Sequence, residues 1–424
     1  MPLSLPRDTR SGSSLRSIPI PGSKSVTNRA LLLAGLAPGC SRLEGGLEAE
    51  DTTWMREALK GCGIPISEED GAWIVQGGSA PAPTQPLWLG ASGTSLRFLL
   101  PWLALGAPHP VELHGDARLF ERPLEPLLQP LEELGARISR TAHGLRIEPA
   151  GAPTGPLQVR VDATLSSQFL TGLALTLAGL PHGGTLTWAT TSSPTYLELT
   201  NTWLHRFGCA SRLDDTRWEI PGGALRPLST RLPGDWSGAA AFYAAAALTG
   251  RALTLGPWDG RDPQGDRALL QILAHAGAEV QVNSKATGDE FITLRGPLLR
   301  GLTADLEACP DLGPVLAAVA ACAPGPSLLT GLHTLPLKEC DRLDASAELV
   351  RWFGGQAEVE GDHTLRITPG KPVAPRGAFD PRNDHRMAFA AAVGALIHGG
   401  DLLHPGCVAK TFPHFWEAWA EMLG

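Results

Sequence analysis

The chain has 424 residues, 43% hydrophobic and 18% charged, with a formal net charge of −8. That length allows two or three domains with ample core. The acidic balance, without a basic run, argues against a nucleic-acid or membrane-surface partner. Seven cysteines (Cys40, Cys62, Cys209, Cys309, Cys322, Cys340, Cys407) include no CxxC pair and leave one odd thiol, which points to a reducing, cytoplasmic setting and away from a zinc site.

The N-terminal stretch carries Arg7, Arg10 and Arg16 but no apolar signal core, so it reads as a short frayed tail leading to a strand over residues 15–20. Next comes Pro21-Gly22-Ser23-Lys24-Ser25-Val26-Thr27-Asn28-Arg29, running straight into Ala30-Leu31-Leu32-Leu33-Ala34. Two hydroxyls, an ammonium and a guanidinium at a helix N-terminus make an anion site, because free N–H groups and the positive dipole end point the same way. It is not a Walker A loop, since Ser17 stands where that motif needs glycine.

The arrangement recurs. Apolar segments at 29–37, 95–106, 168–180, 238–250, 312–323 and 386–398 each follow a polar turn: PGSKSVTNR, LGASGTS, ATLSSQ, PGDWS, ACPD and RNDHR. Helices apolar all round belong in a core, and these fall short of the roughly 20 residues that span a bilayer. Between them run amphipathic helices that stop at Gly63, Gly135, Gly208, Gly277, Gly354 and Gly424, spaced 72, 73, 69, 77 and 70 residues apart. The chain is therefore six units of about 70 residues, each a buried helix, strands, an amphipathic helix and a strand pair such as 136–139 with 145–148. The Pro-rich residues 80–86 read as a loop before a strand.

Six units suggest an α/β protein of two lobes with three units each, residues 21–233 forming one lobe and residues 1–20 with 234–424 the other. The sixth unit ends at its amphipathic helix, so residues 15–20 are expected to complete its sheet. Helix N-termini from both lobes would face one cleft. Basic residues gather at the polar turns: Lys24, Arg29, Arg97, Arg122, Lys338, Arg342, Arg386 and Lys410. Arginines suit the flat oxygens of phosphate and carboxylate, and so many together imply small, multiply anionic substrates. Asp311 stands where it could cap the 312–323 helix.

The segments PGSKSVTNRALLLAGLA, LGASGTSLRFL, ERPLEPL, SSQFLTGLAL, KECDRL, NDHRMA and AKTFP, in this order along the whole chain, resemble the EPSP synthase (3-phosphoshikimate 1-carboxyvinyltransferase) family. The resemblance implies a two-lobed inside-out α/β barrel of six βαβαββ repeats, three per lobe, with the active site in the inter-lobe cleft. It implies a cytoplasmic monomer of the shikimate pathway to chorismate and the aromatic amino acids. Such an enzyme moves the enolpyruvyl group of phosphoenolpyruvate (PEP) to the 5-hydroxyl of shikimate 3-phosphate without metal or organic cofactor, and glyphosate inhibits it. By the same resemblance, Lys24, Ser25, Arg29, Ser166, Ser167, Gln168, Ser193, Tyr196, Asp311, Thr334 and Lys338 would bind shikimate 3-phosphate. Lys24, Gly93, Arg122, Gln168, Arg342, Arg386 and Lys410 would bind PEP.

The reaction needs a base on the attacking hydroxyl and a group that protonates and later deprotonates the PEP methylene carbon. The resemblance gives these roles to Asp311 and Glu339, with Lys24 and Lys410 assisting. Departures from the family pattern are Ala91 for an asparagine, Thr334 for an asparagine, Pro336 for a basic residue, Phe98 for a proline, and Pro194-Thr195 for Lys-Pro. Three other readings stay open: a UDP-N-acetylglucosamine enolpyruvyl transferase, which relies on a loop cysteine; an RNA 3′-terminal phosphate cyclase, which the acidic charge disfavours; and a non-catalytic relative that only binds anions.

Overall fold

A computed structural model describes residues 2–8 and 14–424; Arg10, part of the expected tail, lies outside the described residues. The chain divides into two compact units, residues 22–233 and residues 1–21 with 234–424, so Pro21 groups with the second of these. The described residues form six small sheets.

In the unit of residues 22–233, the middle repeat runs strand Leu87–Trp88, helix Gly93–Gly106, strand Val111–His114, helix Glu125–Glu133, then strands Arg137–Arg140 and Gly144–Glu148. The first two strands pair in parallel because a buried helix connects them, and the last pair is an antiparallel hairpin. The third repeat repeats this order from Leu157–Arg160 through helix Gln168–Gly179 to Arg217–Ile220. The first repeat lacks a leading strand of its own. Ser229–Arg231, at the far end of the unit, pairs in parallel with Gly39–Glu44 and closes its sheet.

The other unit holds helices Trp236–Thr249, Gly313–Cys322 and His385–His398, built mostly of Ala, Val and Leu, which share one core with the amphipathic helices Leu269–His275, Arg342–Trp352 and Phe415–Leu423. Its sixth sheet corrects one expectation. Leu3–Leu5 pairs antiparallel with Gly400–Leu402 and completes it, whereas residues 14–20 form no strand. Leu15 and Ile18 are both buried, a spacing of three that a strand of period two cannot produce. Pro19 lacks an N–H for a ladder. The described part of the expected tail is anchored as well, since Asp8 N–H donates to the Leu396 carbonyl at 2.9 Å and its carboxylate meets buried Arg251 at 2.8 Å.

Gly63, Gly135, Gly208, Gly277 and Gly354 follow their amphipathic helices at φ between +82° and +116°, the backbone state that glycine adopts without penalty. Gly172 serves a different purpose. A Cβ there would lie 2.1 Å from the Arg97 carbonyl oxygen, so its absence is what lets helices Gly93–Gly106 and Gln168–Gly179 pack closely.

Candidate active site

In the unit of residues 22–233 the first buried helix starts at Lys24, earlier than the apolar run suggests, and carries the polar residues of the nonapeptide in its first turns. Lys24 Nζ lies 3.1 Å from Asp51 Oδ2. Ser25, half-buried, accepts Arg29 Nη1 on its carbonyl at 2.7 Å. Arg29 is 2% exposed. Its Nε donates to Thr200 Oγ1 at 2.8 Å, its Nη2 to the Tyr196 carbonyl at 3.3 Å, and its face meets the Phe98 and Tyr196 rings at 5.3 and 5.8 Å. These partners are neutral, so burial lowers the guanidinium pKa to about 10, against a small opposing effect of Tyr196. A desolvated cation of this kind is a strong attractor for a phosphate.

The second buried helix places Gly93 in its first turn, with Ser92 Oγ accepting the Ser95 N–H at 3.3 Å. A Cβ on Gly93 would lie 2.5 Å from Arg122 Nη1 and 2.9 Å from Arg97 Nη1, so two guanidinium groups converge on its bare side. Arg97 also donates to Gln168 Oε1 at 2.9 Å, and Gln168 Nε2 donates to Thr94 Oγ1 at 3.2 Å, which fixes both ends of that amide. Ser166 Oγ accepts the Gln168 N–H at 3.3 Å, and Ser167 is buried at the same helix start. Ser193 sits at φ +52° before helix Thr195–Arg206 and accepts the Tyr196 N–H at 3.1 Å. A buried non-glycine residue held at positive φ is a local cost of the kind found at ligand sites.

The other unit gathers the charged residues of four different segments. Asp311 meets Arg342 at 3.0 Å, Arg386 at 3.0 Å and Lys338 at 3.4 Å. Glu339 meets Arg342 at 2.7 Å and Lys410 at 3.2 Å. Arg342 is held from a third side by Asp384, at 2.7 Å through Nε and 3.1 Å through Nη2. Four cations and three carboxylates thus form one network. Burial by itself would push Asp311 up; Arg386, Lys338 and Arg342 outweigh it and the neighbouring Glu339 charge, holding the carboxyl well below the usual carboxylate range. Burial opposes the Arg342 charge, but Asp384, Glu339 and Asp311 overcome it and keep the guanidinium firmly protonated.

Asp311 does not cap the following helix. It lies in the 3-10 turn Pro310–Leu312, and the cap position of Gly313–Cys322 is Leu312. Thr334 is buried, and its hydroxyl finds no hydrogen-bond partner.

Sequence reasoning missed several residues. Asp51 and Asp384 hold Lys24 and Arg342 from positions distant in the chain. Asn28 is fully buried with neither amide atom bonded. Asp266 is buried and accepts the Ser237 hydroxyl. Burial pushes its pKa up to about 6, with Arg386 and Ser237 opposing the rise and Asp311 and Asp235 adding to it. The available signal for Asp384 was its place in NDHR, two residues before Arg386; Asp51, in EAED, has no recognised basic residue beside it in the sequence.

Two oxygen bases within a ring of cations, and buried cations elsewhere, can bind anions, shuttle protons and stabilise developing negative charge. Among the described residues no cluster of His, Cys, Asp and Glu is arranged to hold a metal ion. No helix is long and apolar enough to cross a membrane among those residues.

Residues 11–419 match the model of a family described as EPSP synthase (3-phosphoshikimate 1-carboxyvinyltransferase). A 3-phosphoshikimate 1-carboxyvinyltransferase of Laribacter hongkongensis is 36% identical, with 96% of each chain covered. One of Methanoculleus marisnigri is also 36% identical, over 97% of this chain and 98% of its own. Among solved structures, EPSP synthase from Acinetobacter baumannii superposes with a TM-score of 0.80 at 26% identity, over 99% of this chain and 97% of that one.

Proposed function

The chain belongs to the EPSP synthase (3-phosphoshikimate 1-carboxyvinyltransferase) family, and from that premise we propose that it transfers the enolpyruvyl group of PEP to the 5-hydroxyl of shikimate 3-phosphate, releasing phosphate. The observation that carries the reading is the pairing of Asp311 and Glu339 with Lys338, Arg342, Arg386 and Lys410 in one partly buried network. An anion-binding module needs only the cations. Two carboxylates placed among them are what proton transfer adds.

On this reading the 3-phosphate is gripped by Arg29, Lys24, Ser25, Ser166, Ser167 and Ser193, with Tyr196 walling the ring and Lys338, Thr334 and Asp311 holding its hydroxyls. PEP is held by Arg122 at Gly93, by Gln168 and Lys24, and by Arg342, Arg386 and Lys410. Substrate anions draw Lys338 and Arg386 from Asp311, so its carboxylate becomes a stronger base when the hydroxyl arrives. Asp311 takes the 5-hydroxyl proton as that oxygen bonds to C2 of PEP, while Glu339 and Lys410 deliver a proton to the methylene carbon. The C2–O bond to phosphate then breaks, the cations stabilise the leaving phosphate, and Glu339 recovers the methyl proton. No thiolate is used. Burial, with Asp384 adding to it, pushes the Cys340 thiol, the one nearest this network, up to about 12.

The protein acts as a cytoplasmic monomer, and glyphosate competes with PEP. Phosphate release from PEP plus shikimate 3-phosphate in the presence of EDTA tests the assignment. Release must require both substrates, fall by orders of magnitude in Glu339→Gln, and resist fosfomycin. Release only with UDP-N-acetylglucosamine as acceptor, or none with either, overturns it.

A further inference from the structure

Lys24 opens helix Lys24–Leu36, where the positive end of the helix dipole disfavours a cation. What holds its ammonium there is Asp51, 3.1 Å away, with the two side chains 14% and 4% exposed. Asp51 is itself fixed from two directions. It lies in the first turn of helix Glu50–Gly61, a favourable place for a carboxylate, and that turn is locked by Thr52, whose Oγ1 accepts the Ala49 N–H at 3.2 Å and donates to the Leu47 carbonyl at 2.6 Å. The Asp51 carbonyl in turn accepts Ser95 Oγ at 3.3 Å, from the first turn of the helix that begins at Gly93.

An ammonium has three protons in tetrahedral array, and committing one to a rigid carboxylate fixes the directions of the other two. Asn28, four residues on along the same helix, leaves its buried amide unbonded. The carboxylate is also a negative charge near groups that would bind anions, so for ground-state binding alone it is unfavourable. A residue that opposes substrate binding and is nevertheless braced from two helices is explained by aim.

We propose that Asp51 is a positioning residue for the transferase reaction: it directs the Lys24 ammonium at the reacting centre, and its carbonyl keys that direction to the helix start carrying Gly93. The proposal rests on the functional reading above. The test is steady-state and single-turnover phosphate release by the full chain in four forms: wild type, Asp51→Asn, Lys24→Ala and the double variant, with Asp51→Glu as a charge-retaining control.

Asp51→Asn lowers kcat at least tenfold while the KM for each substrate stays within threefold or falls, and Asp51→Glu loses less. In the Lys24→Ala background, adding Asp51→Asn changes the rate less than twofold, because its effect passes through an ammonium no longer present. An equal loss in both backgrounds, an unchanged kcat, or a loss of calorimetric PEP binding in an Asp51→Asn protein that melts like wild type overturns the proposal. Wild type that releases no phosphate would sink the functional reading itself, which keeps the two failures apart.

Discussion

Arg342 is buried among Asp311, Glu339 and Asp384, and the three carboxylates use its planar fork from three sides. Taking one member from such a buried group leaves charges uncompensated, typically at a cost of about 3–5 kcal/mol. Arg342→Ala should therefore lower the urea midpoint strongly, and Arg342→Lys should recover little, because a point charge cannot reach all three partners. A midpoint for Arg342→Lys equal to wild type would mean that the network needs only charge. Asp266 behaves in the opposite sense. Its pKa is raised in the fold to about 6, so between the unfolded value of 3.8 and 6 the native state binds more protons and stability falls as pH rises. A shift of that size corresponds to roughly 3 kcal/mol. Asp266→Asn keeps an acceptor for Ser237 and removes the charge, so its stability should exceed that of wild type at pH 7 and approach it near pH 4 in urea titrations. The basic members of the Arg342 network were legible as cations gathered at polar turns. Asp384, which lies in the NDHR turn itself, read only as part of a helix start, because its partner Arg342 lies 42 residues away in the chain. Nothing local marks such a pair.

The six helix starts were legible as turns followed by apolar runs; the third was placed at Gln168, where the structure begins it, but the first two were placed late, at Arg29 and Ser95, where the structure begins at Lys24 and Gly93. The apolar run marks only what the core covers, and a buried helix begins with the polar turn that faces the site. Two glycines on these elements predict opposite outcomes. At Gly172 an added methyl meets the Arg97 carbonyl oxygen at 2.1 Å, a backbone atom that cannot swing aside. Gly172→Ala should thus force the two helices apart and cost about 1–3 kcal/mol or more. At Gly93 the same methyl meets the ends of Arg122 and Arg97, which are flexible. Gly93→Ala should leave the melting temperature near that of wild type while raising the KM for PEP severalfold, since it displaces the guanidinium groups assigned to that anion. Thermal melts of both variants beside PEP kinetics separate the cases. An equal loss of stability would mean that Arg122 is as rigid as backbone.

At the scale of the molecule the glycine spacing revealed the repeat, since each stop closes one helix of each unit at a conserved geometric point, the positive φ that five internal stops share. That the N-terminal segment completes the sixth sheet was legible, but not which residues do so, nor that Ser229–Arg231 closes the first, because both closing strands are only three residues long and are borrowed from remote parts of the chain. A run of three residues carries no period. The borrowed strand at the N-terminus makes a sharp prediction for a stretch that sequence reading takes for a tail. Removing residues 2–8 strips one of the two strand partners of Gly400–Leu402, leaving Ala378–Phe379, and also removes Asp8, the carboxylate 2.8 Å from Arg251, whose side chain is 4% exposed. The second loss is the larger, because a buried cation deprived of its carboxylate costs about 3–5 kcal/mol, whereas one short edge pairing contributes less. Asp8→Asn alone should therefore reproduce most of the destabilisation of the deletion, and Arg251→Met in the Asp8→Asn background should recover part of it by removing the stranded charge. Urea titrations of the three variants decide the matter: a deletion as stable as wild type would make the N-terminal stretch the tail it resembles, and a destabilising deletion beside a neutral Asp8→Asn would assign the effect to the strand.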